Sequence, residues 1–169
     1  MMEYAAPVRD MKFVINELVG FARIEQLQGF DEVSEDLADA VLEEAAKLAQ
    51  EMLGPLNRVG DLEGSRLEGG VVFTPEGWKD AYRTFCESGW NGLAMNPEYG
   101  GQGLPKLIAT AVSEMWDSAN MAFSLCPLLT AGAIEAIERH GNESLKNTYL
   151  EKLVTGVWTG TMNLTEPQA

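Results

Sequence analysis

The sequence predicts an all-α domain that closes on a single β-strand. Three observations carry this reading. Apolar residues recur every three or four positions through most of the chain, which is the period of an amphipathic helix. Gly and Pro punctuate these stretches where helices should begin and end. Alternation with a period of two is convincing in one place only, from Val157 to Leu164.

Phe13, Val14, Glu17, Leu18, Phe21 and Ala22 open the chain at helical spacing, with an apolar stripe, and Gly29 precedes a turn. Ser34 suits the N-cap of a second helix, on which Leu37, Val41, Ala45, Leu48 and Met52 recur. Gly54-Pro55 should close that helix, and Asn57 to Gly70, rich in Gly and charge, should be a long loop. Val71 to Phe73 are extended at most. In "FTPEGW", Thr74 can cap a third helix, with Pro75 in its first position and Glu76 at its positive end. Trp78, Ala81, Tyr82 and Phe85 would line its buried face, and Gly89 would end it.

"NPEYGGQGLP" then reads as an irregular loop whose Pro105 opens a helix carrying Leu107, Ile108, Ala111, Val112, Met115 and Trp116. "ANMAFSLCPLLTAGAIEAIERHG" is small or apolar almost throughout, as expected of a helix buried on most sides. Pro127 should break or kink it, and Gly141 should cap it. A last helix is predicted over Glu143 to Val154, with Leu145, Tyr149, Leu150 and Leu153 inward. Along the final strand Trp158, Gly160, Met162 and Leu164 fall on one side, and Glu166-Pro167 ends it because proline donates nothing to a ladder. No partner strand is evident, and a lone strand is not stable in water.

With 46% hydrophobic and 22% charged residues in 169, the chain has a globular balance and the length for one domain with a real core. No unbroken apolar run approaches the roughly 20 residues of a membrane span. The N-terminus carries Glu3, Arg9, Asp10 and Lys12 and lacks a signal-type apolar core, so a cytoplasmic location is expected. Cys86 and Cys126, without CxxC spacing, read as buried thiols of a reducing compartment. The formal charge is −14, and eleven acids against three bases lie between Asp31 and Glu68. Such acidity argues against nucleic acid, whose binding rests on neutralising phosphates. The acidic stretch itself reads as a solvated helix face.

The glycines of "EYGGQG" lack a preceding strand, a GxGxxG register and a following Gly-Lys-Ser/Thr, so they read as a tight connection between helices rather than a phosphate loop. Positive φ is expected at Gly100, Gly101 or Gly103. The one histidine, His140, sits where a helix C-terminus favours a cation, and with no clustered Cys or carboxylate it forms no metal site. From the residues alone this is a helical domain without an assigned activity.

Two motifs add to that. "NPEYGGQGLP" resembles the Pro-Glu-x-Tyr-Gly-Gly-x-Gly loop of the acyl-CoA dehydrogenase family. "HGNESLKNTYLEKLVTGVWTGTMNLTEPQA" resembles that family's passage from a helix pair into its flavin-binding strand. "YAAPVRDMKFVINEL" is similar to an N-terminal extension of one bacterial branch acting on fatty or unusual short acyl-CoAs. The resemblance spans about Tyr4 to Ala169 and implies the family's N-terminal helical domain. By it, residues 1–33 are the extension, 34–156 the helical domain, and 157–169 the start of a truncated middle β-domain, in the front portion of a longer flavoenzyme.

The resemblance also implies FAD and an acyl-CoA substrate. Met162, Leu164 and Thr165 would approach the flavin, Thr165 through its amide and hydroxyl, where donors stabilise the charge that arrives with hydride, and ordinary β-domain packing is the competing role of Met162 and Leu164. Phe123, Leu125 and Leu128 would line the acyl tail, with core packing as the competing role. The family's catalytic glutamate lies in a later domain, so no catalytic residue is expected here, and Glu166 is not its equivalent. Electron-transfer flavoprotein as acceptor and a homo-oligomer of the complete enzyme follow from the same resemblance. A non-catalytic helical interaction module derived from the family, and the matching part of an acyl-CoA oxidase, remain as alternatives.

Overall fold

The structure, a computed structural model, describes residues 4–163. They form two compact units, one of residues 4–83 and 104–123, the other of residues 84–103 and 124–163.

In the first unit α1 (Val8–Phe13) runs into a π-helical stretch, Val14–Val19, that Gly20 ends at φ 80°. Met11 and Ile15, one turn apart, are the residues it buries, whereas Phe13, Val14 and Leu18 of the predicted stripe are exposed. The buried pair faces α3, on which α1 packs. Lys12 fixes the docking through Asp39 at 3.0 Å and Glu43 at 2.7 Å. The Ala6 amide adds a 2.8 Å bond to Gln50 Oε1. After a single turn, α2 (Ala22–Glu25), comes α3 (Glu35–Leu48). Ser34 is its N-cap, its hydroxyl accepting from the Leu37 amide at 3.2 Å. The buried face is Ala38, Leu42, Ala45, Ala46 and Ala49, one residue round from the predicted stripe. Its small side chains allow close approach.

Gly54-Pro55 does not end this helix. A π-turn, Ala49–Leu53, hands the chain to α4 (Gly54–Glu63) with Pro55 in the first turn. A widened turn spares proline the i−4 clash that would break an α-helix. The predicted long loop is therefore mostly α4 and a hairpin. In that hairpin β1 (Arg66–Glu68) pairs antiparallel with β2 (Val71–Phe73) across Gly69-Gly70, both at positive φ. α5 (Trp78–Glu87) begins four residues after Thr74. Gly77, at φ 80°, makes the turn, and its carbonyl accepts the first helical bond from Ala81. Thr74 is thus no cap. On α5, Ala81 and Phe85 are buried and Trp78 and Tyr82 half-buried, as the spacing predicts.

α6 (Lys106–His140) follows Pro105 and buries Ile108, Val112, Met115, Trp116, Ala119 and Phe123. Its break falls at Asn120, which leaves helical geometry at φ −159° and ψ 85°, and not at Pro127. Asn120 is 1% exposed. Its amide donates to the Leu53 carbonyl at 3.1 Å, and its side-chain oxygen accepts from the Phe123 amide at 3.1 Å. One side chain so caps the second half of α6 and ties it to the Leu53 carbonyl at the end of the π-turn. By length and composition alone α6 could cross a membrane, which a reading of unbroken runs misses. The break and the buried residues suit a core helix.

The second unit contains the turns Trp90–Gly92 and Pro97–Tyr99, the part of α6 from Ser124, and α7 (Glu143–Val154). α7 has the predicted bounds, with Asn142 accepting from the Leu145 amide at 3.0 Å. Its buried residues are Leu150, Leu153 and Val154, packed with Ile134. Leu145 and Tyr149 lie outside, at 43% and 38% exposure. Residues 159–163 have no regular structure and no ladder partner among the described residues. The predicted strand is thus not formed there, as a strand without a partner cannot be.

Asn120→Ala should cost about 1–3 kcal/mol, a lost cap plus a lost buried hydrogen bond. Thr74→Ala should stay within about 0.5 kcal/mol. Urea denaturation of both variants measures the contrast, and equal losses would contradict the assignment.

Docking of α1 should depend on pH. The bond from Lys12 holds the Glu43 carboxyl below its ordinary range, while Glu43 first and then Asp39 raise Lys12. A lowered carboxyl stabilises the fold fully above its unfolded value, about 4.3, and stops doing so as pH falls through the folded value. The raised lysine contributes below its unfolded value, about 10.4, and ceases to as pH rises through the folded one. Lys12→Gln should therefore destabilise at pH 7, with the difference shrinking at pH 3. An equal difference at both pH values would refute the ion pair as its cause.

Candidate cofactor-facing segment

The predicted site residues centre on the chain after α7, in the second unit. α7 ends at Val154, and Gly156, at φ 78°, turns the backbone. Asn91, 8% exposed, donates to the last two α7 carbonyls, Leu153 at 2.7 Å and Val154 at 3.1 Å. The Leu153 carbonyl also takes the Gly156 amide at 3.2 Å, whereas that of Val154 would be an orphan of the helix end without Asn91.

The glycine loop packs on the same place. Gly100 and Gly103 take positive φ, 87° and 66°, and a side chain on Gly101 would run into the Met95 carbonyl. A Cβ on Gly92 would lie 3.1 Å from Val154 Cγ1, and one on Gly100 would lie 3.3 Å from Thr155 Cγ2. Asn96 caps the turn at Glu98 and donates to Glu138 at 3.1 Å. The loop is therefore a socket for the C-terminal end of α7. Its glycines serve close backbone approach and tight turning, in keeping with the connection read from the sequence.

From this socket the chain leaves along two supports. The Trp158 amide donates to the Lys152 carbonyl at 2.9 Å. Its ring lies 5.8 Å from that of Tyr149 and 4.1 Å from Lys152 Nζ, a cation–π contact. The Gly160 amide donates to Thr130 Oγ1 of α6 at 3.1 Å. Beyond it Thr161, Met162 and Asn163 are exposed, Met162 at 61%. Leu164 and Thr165 lie outside the described residues, as does Glu166.

Leu125 and Leu128 are exposed on α6, at 47% and 56%. Phe123 is 4% exposed and belongs to the first unit, its ring 6.1 Å from that of Trp78 and 6.4 Å from that of Tyr82. The indole also lies against Gly60, where a Cβ would come within 2.5 Å of it. So the three predicted acyl-facing residues do not share one environment. Cys86 and Cys126 are half-buried and form no disulfide. Among the described residues no three His, Cys, Asp or Glu side chains are grouped to hold a metal.

The family model of the acyl-CoA dehydrogenase N-terminal domain matches residues 35–157. The chain belongs to the acyl-CoA dehydrogenase family. It is 51% identical to the 3-methylmercaptopropionyl-CoA dehydrogenase of Ruegeria pomeroyi over 99% of this chain and 29% of that protein. A butyryl-CoA dehydrogenase of Syntrophomonas wolfei is 32% identical over 98% of this chain and 28% of its own length. The broad-specificity linear acyl-CoA dehydrogenase FadE5 of Mycobacterium tuberculosis is 29% identical over 100% and 28%. The chain thus spans less than a third of the curated relatives it matches.

Asn91, Asn96 and Thr130 were not read from the sequence as part of this region. Each acts through a backbone group at least 30 positions away or a side chain 42 positions away, which no local pattern encodes.

Gly101→Ala should disrupt the socket, because the clash is with backbone rather than a flexible side-chain end. The expected result is loss of the near-ultraviolet dichroism of Trp158 and Tyr149 and a lower melting temperature. An unchanged spectrum would contradict the packing.

Proposed function

We propose that this chain is the N-terminal helical portion of an FAD-dependent acyl-CoA dehydrogenase that removes hydrogens from the α and β carbons of an acyl-CoA thioester. Residues 1–33 form its extension, 34–156 its helical domain and 157–169 the beginning of its β-domain. The observation that carries the reading is the exposed backbone of residues 161–163, launched from a fixed socket. Thr161, Met162 and Asn163 are exposed, so the segment is accessible to a flavin ring edge.

Met162, with Leu164 and Thr165, would hold FAD there, and FAD when bound supplies the hydride acceptor. This chain's contribution is orientation and hydrogen-bond donors, not proton abstraction, whose base belongs to a later domain in the family. Leu125 and Leu128 present apolar surface suited to an acyl tail. Phe123 would act from behind, by holding Trp78 and Tyr82. The names of the most similar relatives, acting on 3-methylmercaptopropionyl-CoA and butyryl-CoA, favour a short acyl group. Transfer of electrons to electron-transfer flavoprotein, a homo-oligomeric complete enzyme and a cytoplasmic location belong to the same proposal and follow the family.

The isolated 169-residue chain should neither bind FAD at micromolar concentration nor oxidise acyl-CoA, since positioning and preorganised electrostatics would need the remaining domains. It should self-associate through Met121, Leu125, Leu128, Val157 and Met162, all exposed. Flavin fluorescence titration and sedimentation measure both. Stoichiometric FAD binding by a clean monomer would overturn the proposal.

A further inference from the structure

We infer that Thr130 is a positioning residue: with Gly160 it forms a clip that sets the register in which residues 161–163 leave the helical unit. What the segment faces rests on the functional reading above, whereas the clip stands on geometry alone.

Thr130 is fully buried, at 0% exposure. Its hydroxyl donates its one proton to the Cys126 carbonyl at 2.8 Å, which orients a lone pair toward the Gly160 amide at 3.1 Å. A buried hydroxyl with both roles filled is a fixed point. The second half of the clip is steric. Gly160 does not have positive φ, so no turn requires a glycine there. Space does. A Cβ at this position would stand 2.7 Å from Ala133 Cβ and 3.2 Å from Thr130 Cα. The bare backbone of Gly160 fits a notch on α6 that no side chain could enter.

Its neighbours in sequence are Thr159 and Thr161. A slip by one residue either way would drive a branched side chain into Ala133. Such a slip would also exchange the faces of every following residue in an extended chain, because their period is two. Met162 would trade sides with Thr161 and Asn163. The clip therefore decides which set points to which side. Trp158, held on α7 two residues earlier, stops the chain from sliding as a whole.

The test compares Thr130→Val, which keeps shape and removes the hydroxyl, with Thr130→Ser, which keeps the hydroxyl, in the 169-residue chain. Hydrogen exchange is read at residues 158–163 and along α7. Thr130→Val should accelerate exchange at Gly160 at least about tenfold while α7 stays protected, as expected for loss of a local bond. Thr130→Ser should match the parent chain. Gly160→Ala, as a second route, should release the same residues. Unchanged exchange at Gly160 in Thr130→Val would overturn the clip, and so would equal acceleration across α7, which would mark a purely structural role. None of these readouts needs FAD. Failure of the functional reading would show instead as a complete polypeptide that holds no flavin, with the exchange pattern intact.

Discussion

The buried amide of Asn120 is the constraint on which the helical architecture depends. A continuous α6 of 35 residues would be a rod of about 50 Å. Asn120 interrupts it and supplies what the interruption leaves unpaired. Its oxygen caps the new helix start and its nitrogen takes up the Leu53 carbonyl, 67 positions earlier. The π-turn before Gly54 belongs to the same arrangement, for it lets α3 run on into α4 past a proline and ends at Leu53. Two irregularities in two helices are thus joined by one hydrogen bond.

The second unit uses the same chemistry for another purpose. Asn91 serves the end of α7 as Asn120 serves the middle of α6, placing an amide against carbonyls that helix geometry leaves over. The glycine loop then presses backbone against that end. Rigid support is what a site needs if its donors are to stay aligned without reorganisation. Here the support comes from buried amides and missing side chains, which hold the start of residues 159–163 in place.

What the sequence made legible follows the same division. Ser34 and the bounds of α7 were readable because their signals are local, a side chain satisfying amides three residues on. Gly89, Gly100 and Gly103 were readable because positive φ is nearly glycine's alone. Pro55 misled because the turn before it is widened, and Pro127 because α6 carries it without leaving helical geometry there. Thr74 misled because Gly77 offered the chain a later start. The buried faces of α1 and α3 were off by about one residue, a shift that depends on which helix lies opposite. Family membership was legible in two motifs, but Asn91 and Thr130 were not, being defined by partners far along the chain. Of the candidate site, Leu164 and Thr165 fall outside the described residues.

The exposed apolar side chains complete the physical argument. Met121, Leu125 and Leu128 sit at i, i+4 and i+7 on α6, and roughly half of each lies in water. Fully burying such a side chain is worth about 1.5–3 kcal/mol, so each leaves about half of that unrealised. Single exposed apolar residues need no explanation, but a helical row of them does. The second unit already spends its inward residues, Ile134, Leu150, Leu153 and Val154, on its own core. The exposed half of each side chain in this row therefore adds no apolar burial to the fold. That exposed half would gain burial only if something covered it.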